Sequence, residues 1–345
     1  MKSKLTMKDN FLRLLKGEMP ESVPIHTMGI MENNGESPYK LVGPFLFDET
    51  RLTPCPEGRT DIWGVKLVTN EETGFGCIPE PNNFILDDIT KWRDVIKAPE
   101  YPERIDWEYM VKKDEQVFGY DPAKNARMCV IGIMPFQSLM EFMGFNEGLI
   151  AMAEEPEECL ALLDYMSDFY MPLVEAAVNY YHPDCMYLLD DTATKYNPFI
   201  SVSMYREILK PIYTKLTRPA VERGIPIQFH NCGRCEDFID DMLDFGVKIL
   251  EPLQTENHLA DIKKKYAGRL IMAGCYDWNP PVDWPNVDEE KVRQDVRDVI
   301  DAFAPGGGFM ATAGSIGQVG DEVMAKVNMW CADELHKYCQ DYYIR

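Results

Sequence analysis

Apolar and polar positions follow two patterns along most of the chain after about residue 125. Short apolar runs bounded by turn-forming residues are typical of buried strands. Between them, apolar residues recur every three or four positions, which is typical of helices with one buried face. The first pattern, together with one earlier segment, predicts strands at 23–28, 128–134, 185–189, 225–230, 247–253, 270–275 and 309–313.

The second pattern predicts helices at 137–153, 157–181, 201–223, 259–266, 289–304 and 323–343. Strands separated by helices indicate parallel β-α-β units. Seven or eight such strands favour an α/β fold of the (β/α)8 TIM-barrel type over an open doubly wound sheet. No linker divides the chain, so we expect one domain over residues 1–345, with an insertion at about 41–83 that carries a small hairpin near 61–68.

The charge balance narrows the possible partners. A formal net charge of −22 over 345 residues argues against nucleic acid and anionic membrane surfaces, which would repel this chain. No apolar run approaches the roughly 20 residues that a membrane-spanning helix needs. The ten cysteines lack a disulfide-framework spacing, and the first residues lack the apolar core of a signal peptide. We therefore expect a cytoplasmic protein with reduced thiols.

Polar side chains stand where several predicted strands end. They are Asp190 and Asp191, His230 and Cys232, Glu251, Cys275, and Ser315 just after the last strand. Active sites of TIM barrels lie at this carboxyl-terminal face and combine residues from several strands. Asp190 and Asp191 are candidates for a general acid or a substrate contact, although a capping or helix-start pair for a helix from Thr192 onward is an equal alternative.

The most informative segment reads Ile225-Pro-Ile-Gln-Phe-His-Asn-Cys-Gly-Arg-Cys235. Side chains two positions apart in a strand point the same way, so Gln228, His230 and Cys232 share one face. An imidazole and a thiolate that converge in this way supply two of the three protein ligands of a catalytic zinc site. The alternatives are a core histidine beside a buried free cysteine, a structural zinc, and a redox Cys-x-x-Cys motif formed with Cys235.

Two further segments carry a family resemblance. The stretch Phe11-Leu-Arg-Leu-Leu-Lys-Gly-Glu with the later Val23-Pro-Ile, and the stretch Ile271-Met-Ala-Gly-Cys-Tyr-Asp, resemble segments of the uroporphyrinogen decarboxylase superfamily. The resemblance covers nearly the whole chain and implies a TIM barrel. Decarboxylases of this superfamily carry an arginine-rich loop after the first strand. The corresponding segment here, residues 26–35, has no arginine and contains Glu32, which disfavours a polycarboxylate substrate.

The other branch of the superfamily consists of corrinoid-dependent methyltransferases, which hold zinc on a His-x-Cys motif and a distant cysteine. His230-Asn-Cys-Gly233 resembles the first part of that motif. The distant cysteine is missing, because the matching segment reads Ala313-Gly-Ser315. Cys275 and Glu251 are the available replacements for the third ligand, and we prefer Cys275, since thiolate and carboxylate both bind zinc.

The resemblance implies a zinc-dependent transfer of a methyl group between a small methoxy, methylamine or thiol compound and a corrinoid protein. That partner would supply the cobalamin, because the chain has no Asp-x-His-x-x-Gly cobalamin motif. We expect Met28, Gln228 and Ser315 to contact the substrate, and a homodimer to be possible. The alternatives are a metal-free lyase of the decarboxylase type and a non-catalytic binding protein on the same fold.

Overall fold

The computed structural model describes residues 4–26, 37–47, 57–69, 77–281, 283–316 and 320–345. Its central feature is a seven-stranded sheet, and a separate three-stranded sheet lies beside it. In chain order, the strands of the described residues are β1 (Tyr39–Leu41), β2 (Arg59–Thr60), β3 (Lys66–Val68), β4 (Ile78–Pro79), β5 (Ala126–Val130), β6 (Cys185–Leu189), β7 (Ile227–His230), β8 (Val247–Leu253), β9 (Ile271–Gly274) and β10 (Phe309–Ala311).

Helices precede, separate and follow the strands of the large sheet. None of the helices in the described part of the chain has the length and apolar character needed to span a membrane. The helices are α1 (Met7–Leu15), α2 (Trp92–Val95), α3 (Trp107–Val117), α4 (Pro135–Met143), α5 (Phe145–Glu154), α6 (Pro156–Ala176), α7 (Val202–Met204), α8 (Lys210–Val221), α9 (Ile239–Asp244), α10 (Leu259–Lys265), α11 (Glu289–Phe303) and α12 (Glu322–Cys339).

The large sheet curls into a barrel of parallel strands. Its order is β1-β5-β6-β7-β8-β9-β10, and every pair is parallel. The segment around Ile25 occupies the eighth strand position of the barrel, because Ile25 forms a parallel bridge with Ala311 of β10. Two hydrogen bonds fix it there, from His26 N to Ala311 O at 2.8 Å and from Ala311 N to Pro24 O at 2.9 Å. The (β/α)8 TIM-type fold predicted from the sequence is therefore confirmed.

The barrel interior is packed with apolar side chains toward the amino ends of the strands. Phe11 and Leu14 of α1 are buried beneath it, in one cluster with inward residues of the strands such as Met128, Ile249 and Ala273. A capping box between Thr6 and Asp9 starts this helix. Because α1 and these side chains fill the amino-terminal end, the carboxyl ends of the strands are left for polar groups.

The predicted insertion contains the small sheet. Strands β2 and β3 form an antiparallel pair joined through residues 61–65, and β4 pairs with β3 on the other side. The hairpin predicted near 61–68 is confirmed, while the division of the chain into one domain with an insertion stays a prediction.

Several predicted helices are broken in the structure. The segment 137–153 forms α4 and α5, which are separated at Gly144 with φ of +83°. A Cβ at that position would lie 2.7 Å from the ring of Phe84, so the chain needs a glycine there. Within 201–223, a π-helical turn at Tyr205–Leu209 precedes α8. Pro211 lies in the first turn of α8, two residues after the π-helical turn, and has no N–H to donate back to it.

The cysteines differ from expectation at one position. Eight of them in the described residues are free thiols, and only Cys232 among these is not fully buried. Cys77 is disulfide-bonded, so the expectation of reduced thiols throughout is wrong for this residue.

Candidate metal centre

Three neighbouring strands bring the polar residues of the site together. His230 of β7 stands in register with Leu189 of β6 on one side and with Glu251 of β8 on the other. The backbone ladder continues to the strand ends, with hydrogen bonds from Asp190 N to His230 O and from Asn231 N to Glu251 O. The residues that follow β6 and β7 are thereby held side by side at the carboxyl-terminal face.

Asp191, His230 and Cys232 form a compact cluster at this face. Their candidate ligand atoms all lie within 4.8 Å of one another. Among the described residues, these three form the group that could hold a metal ion. His230 Nε2 lies 3.4 Å from Cys232 Sγ and 3.6 Å from Asp191 Oδ1. The Cys232 N–H also donates to Asp191 Oδ1 at 2.7 Å. The carboxylate therefore fixes the backbone that carries the thiol.

These distances match a tetrahedral zinc site. Zinc bond lengths of about 2.0–2.3 Å place a nitrogen and a sulfur ligand about 3.6 Å apart, and a nitrogen and an oxygen ligand about 3.4 Å apart. The corresponding separations here are 3.4 Å and 3.6 Å. One imidazole, one thiolate and one carboxylate make three ligands and leave a fourth position for a substrate, so the residues fit a catalytic zinc.

Glu251 lies behind His230 instead of joining the cluster. Its Oε1 accepts from His230 Nδ1 at 3.0 Å and from the Tyr187 hydroxyl, and its Oε2 lies 3.1 Å from His26 Nε2. The side chain is fully buried. Burial acts to raise the pKa of the Glu251 carboxyl, but the two histidines beside it hold that pKa below its usual range. An ionised Glu251 accepts the Nδ1 proton of His230, which in the neutral imidazole leaves the Nε2 lone pair on the side of Cys232 and Asp191.

The sequence profile of uroporphyrinogen decarboxylase (URO-D) matches residues 108–325, more than half of the chain. The chain belongs to the uroporphyrinogen decarboxylase family. The family prediction is thus confirmed. No curated protein matches the sequence.

Two solved structures are similar to this member of the uroporphyrinogen decarboxylase family. A methyltransferase from Methanosarcina mazei superposes with a TM-score of 0.56 at 15% identity, over 96% of this chain and 100% of that one. A sugar phosphate isomerase/epimerase from Parabacteroides distasonis gives a TM-score of 0.31 at 10% identity, over 72% of this chain and 82% of that one. The first likeness shows a shared fold, and the second is too low to support any argument.

Cys275, the preferred third ligand in the sequence, is not part of the cluster in this uroporphyrinogen decarboxylase family member. Strand β9 ends at Gly274, and Cys275 has a left-handed backbone with φ of +62°. Its thiol is buried in the apolar layer around the barrel and borders a cavity of about 280 Å³ that Ser315 also lines. Burial raises the pKa of this thiol well above its usual range, and the nearby Lys263 opposes the shift only in part.

Asp190 caps a helix. Its carboxylate accepts from the backbone N–H groups of Phe136 and Gln137, at 2.6 Å and 3.0 Å, at the start of α4. The Tyr213 hydroxyl donates to it at 2.7 Å. Burial raises the pKa of Asp190 to about 7, and these three hydrogen bonds act in the opposite direction. No helix begins at Thr192 in the described part of the chain, so Asp190 caps α4 and not the helix that was the alternative, whereas Asp191 faces the cluster.

The three residues predicted to contact the substrate differ in their surroundings. Gln228 lies on the same strand face as His230 and is buried, and its Oε1 has no hydrogen-bond partner in the described part of the chain. Ser315 is held through its backbone by Asn328, and its buried hydroxyl also has no partner among the described residues. Met28 lies outside the described residues.

A cavity of about 380 Å³ adjoins the cluster, and Cys232 forms part of its wall. A volume of this size suits a small substrate. Lys195 and Gln254 supply polar groups, while Tyr276 and Trp278 supply aromatic surface.

Cys235 is separate from this chemistry. Its side chain is fully buried, and burial raises the pKa of its thiol to about 12. Burial also raises the pKa of Cys232, although His230 acts to lower it. Redox-active Cys-x-x-Cys pairs need a thiol with a low pKa, so this pair does not favour the redox interpretation.

The sequence missed His26, Tyr39 and Tyr187 as parts of the site. All three reach Glu251 directly or through one residue, with the Tyr39 hydroxyl 2.7 Å from His26 Nδ1. One signal was the position of His26 near the carboxyl end of the strand predicted at 23–28.

Proposed function

We propose that this protein is a zinc-dependent methyltransferase that moves a methyl group between a small methylated compound and a corrinoid protein. The observation that carries the proposal is the cluster of Asp191, His230 and Cys232, at the carboxyl-terminal face of a barrel in this family. Asp191 replaces Cys275 as the proposed third ligand.

Two comparisons within the fold favour methyl transfer over decarboxylation. The Methanosarcina mazei protein with the same fold is a methyltransferase and aligns over nearly the full length of both chains. The segment 26–35, where decarboxylases resemble each other in carrying arginines, has none in this sequence. A substrate with many carboxylates would therefore meet no cationic partner there.

Bound at this cluster, zinc would supply a Lewis acid that activates a thiol or polarises the heteroatom that carries the methyl group. The residues of the chain do the rest of the positioning. Glu251 holds the Nδ1 proton of His230, and Asp191 holds the backbone of Cys232. The buried side chain of Asn231 bonds both the N–H and the hydroxyl of Thr192, which ties the loops after β6 and β7 together.

The transfer itself requires a second reactant. In the direction toward the corrinoid, the cob(I)alamin electron pair forms the new bond to the methyl carbon, and the leaving heteroatom keeps the pair of the broken bond. In the reverse direction, a substrate thiolate attacks the methyl group of methylcob(III)alamin and cob(I)alamin is released. We propose that a partner protein supplies the cobalamin. We place both proteins in the cytoplasm. This chain could also form a homodimer there.

The proposal is tested by zinc content and by the absorption change of cob(I)alamin on methylation. Purified protein should hold about one zinc per chain and should form methylcobalamin from one of a panel of methoxyaromatics, methylamines, methanol and thioethers. Cys232→Ala should lose most of the zinc and the activity. Cys339→Ala, which removes a buried thiol at the end of α12, is the matched control and should keep both.

Two results would overturn this function. One is full activity after chelation with confirmed loss of zinc. The other is conversion of uroporphyrinogen to coproporphyrinogen that chelators do not affect, which would restore the metal-free decarboxylase alternative.

A further inference from the structure

A line of hydrogen-bonded polar side chains crosses the barrel interior from the metal cluster to β1 and the Ile25 segment on the opposite side. It runs from His230 Nδ1 to Glu251 Oε1 at 3.0 Å, from Glu251 Oε2 to His26 Nε2 at 3.1 Å, and from His26 Nδ1 to the Tyr39 hydroxyl at 2.7 Å. Glu251 is 0%, His26 3% and Tyr39 4% exposed, so the bonds among these three residues are shielded from water, while the His230 side chain is 16% exposed. His26 and Glu251 are 225 positions apart in the sequence.

The proton positions in this line follow from the chemistry of its members. An ionised carboxylate only accepts hydrogen bonds, so both histidines donate to Glu251, His230 through Nδ1 and His26 through Nε2. When Nε2 carries the only ring proton of His26, its Nδ1 accepts from the Tyr39 hydroxyl. In the neutral imidazole of His230, a proton on Nδ1 leaves Nε2 free on the side of Cys232 and Asp191, which is the form that binds a metal.

We propose that His26, held by Tyr39, is a positioning residue for the metal centre. It fixes the far oxygen of Glu251, and Glu251 in turn holds His230 in the tautomer and ring orientation that present Nε2 to the ligand cluster. This inference rests on the proposed function only in assuming that Asp191, His230 and Cys232 bind a metal.

A purely structural histidine would have a different effect when replaced. Outer partners of metal-bound histidines change metal affinity by roughly 10- to 100-fold. A histidine that only fills space changes the stability of the fold and leaves the affinity of the folded protein unaltered. Metal affinity therefore distinguishes a positioning residue from a packing residue.

The test uses the full chain, stripped of metal and titrated with Zn²⁺ against a competing chelator, and separately with Co²⁺ to record the ligand-field absorption. His26→Leu should weaken Zn²⁺ binding by up to about 10-fold, the lower end of the range for direct partners of a ligand, and should shift the Co²⁺ spectrum. His26→Gln keeps a donor for Glu251 and should restore most of the affinity. Tyr39→Phe should give a smaller loss in the same direction.

The chain provides a matched control. His258 forms a similar contact outside the cluster, with Nδ1 2.6 Å from Glu236 Oε1, but its side chain is 69% exposed. His258→Leu should leave both the Zn²⁺ affinity and the Co²⁺ spectrum unchanged.

Failure of this inference is distinguishable from failure of the proposed function. If His230→Ala binds Zn²⁺ as tightly as the unmodified protein, the metal centre itself is wrong. If His230→Ala loses the metal while folded His26→Leu keeps the unmodified affinity and spectrum, the positioning role alone is overturned. Should His26→Leu not fold, unchanged affinity and spectrum in Tyr39→Phe overturn the role.

Discussion

The carboxylate of Asp191 contacts both other members of the candidate metal centre. Its Oδ1 accepts the Cys232 N–H at 2.7 Å and lies 3.6 Å from His230 Nε2. This oxygen therefore orders the backbone of one ligand and completes the donor set beside the other. Removal of its negative charge should weaken the centre in both respects.

We predict that Asp191→Asn weakens Zn²⁺ binding by about 100-fold or more, because a neutral amide is a poor zinc ligand beside a thiolate. Cys275→Ser should leave the affinity within a few-fold of the unmodified protein, since that thiol lies outside the cluster. Competition with a chelator measures both. The reverse ranking would restore Cys275 as the third ligand and would require its segment to rearrange on metal binding.

Cys275 shows where the direction of a single side chain cannot be predicted from the sequence. Alternation of side chains along β7 places Gln228 and His230 on one face, and β7 pairs without interruption with β6 over Ile227–His230. The same argument requires β9 to continue through Cys275, but the strand ends one residue earlier and the backbone turns left-handed. Nothing in the residue types near Cys275 specifies that angle, so its direction could not be obtained from the sequence.

At the scale of elements, the loop after β7 lies directly against the loop after β6. Gly233 has φ of +85°, and a Cβ there would lie 2.5 Å from the carbonyl oxygen of Thr194 and 2.7 Å from that of Ala193. Both obstacles are backbone atoms of the neighbouring loop, which cannot rotate away as a side chain can. The position of Cys232 therefore depends on the absence of a side chain at the next residue.

Gly233→Ala should destabilise the protein by about 2–4 kcal/mol, which combines left-handed backbone strain of about 1–2 kcal/mol with displacement of the loop. It should also weaken Zn²⁺ binding, because Cys232 moves with the loop. Gly268→Ala is the control, since Gly268 has φ of +74° with nothing within 4 Å of the added Cβ. Gly268→Ala should lower the free energy of unfolding only by the cost of the left-handed backbone strain. Equal urea-unfolding and Zn²⁺-affinity changes in the two variants would contradict the close-approach argument.

The strands were more predictable than the helices. The bounds of β6 and β8 follow directly from their apolar runs, because both strands are buried on two sides. The long helices were predicted as continuous, since periodicity of apolar residues persists through a break. Only Gly144 marks the break between α4 and α5 in the sequence, and its role depends on Phe84, which packs against it from a distant segment.

At the scale of the whole molecule, the barrel separates stability from chemistry. Apolar residues and α1 fill its amino-terminal end, while Asp191, His230 and Cys232 occupy the carboxyl-terminal face. The alternation of strands and helices was sufficient to predict this architecture. The line from Tyr39 through His26 to Glu251 was not predictable, because it joins side chains that only the closed barrel brings together.

This separation predicts that damage at the amino-terminal end leaves the metal centre intact. Leu14 of α1 is 2% exposed and packs with the inward residues of the strands. Leu14→Ala should lower the free energy of unfolding by about 2–5 kcal/mol, the usual cost of such a truncation in a core. Its Zn²⁺ affinity, measured at a temperature where the variant is fully folded, should equal that of the unmodified protein. A weakened affinity in the folded variant would show instead that packing beneath the barrel controls the position of the ligands above it.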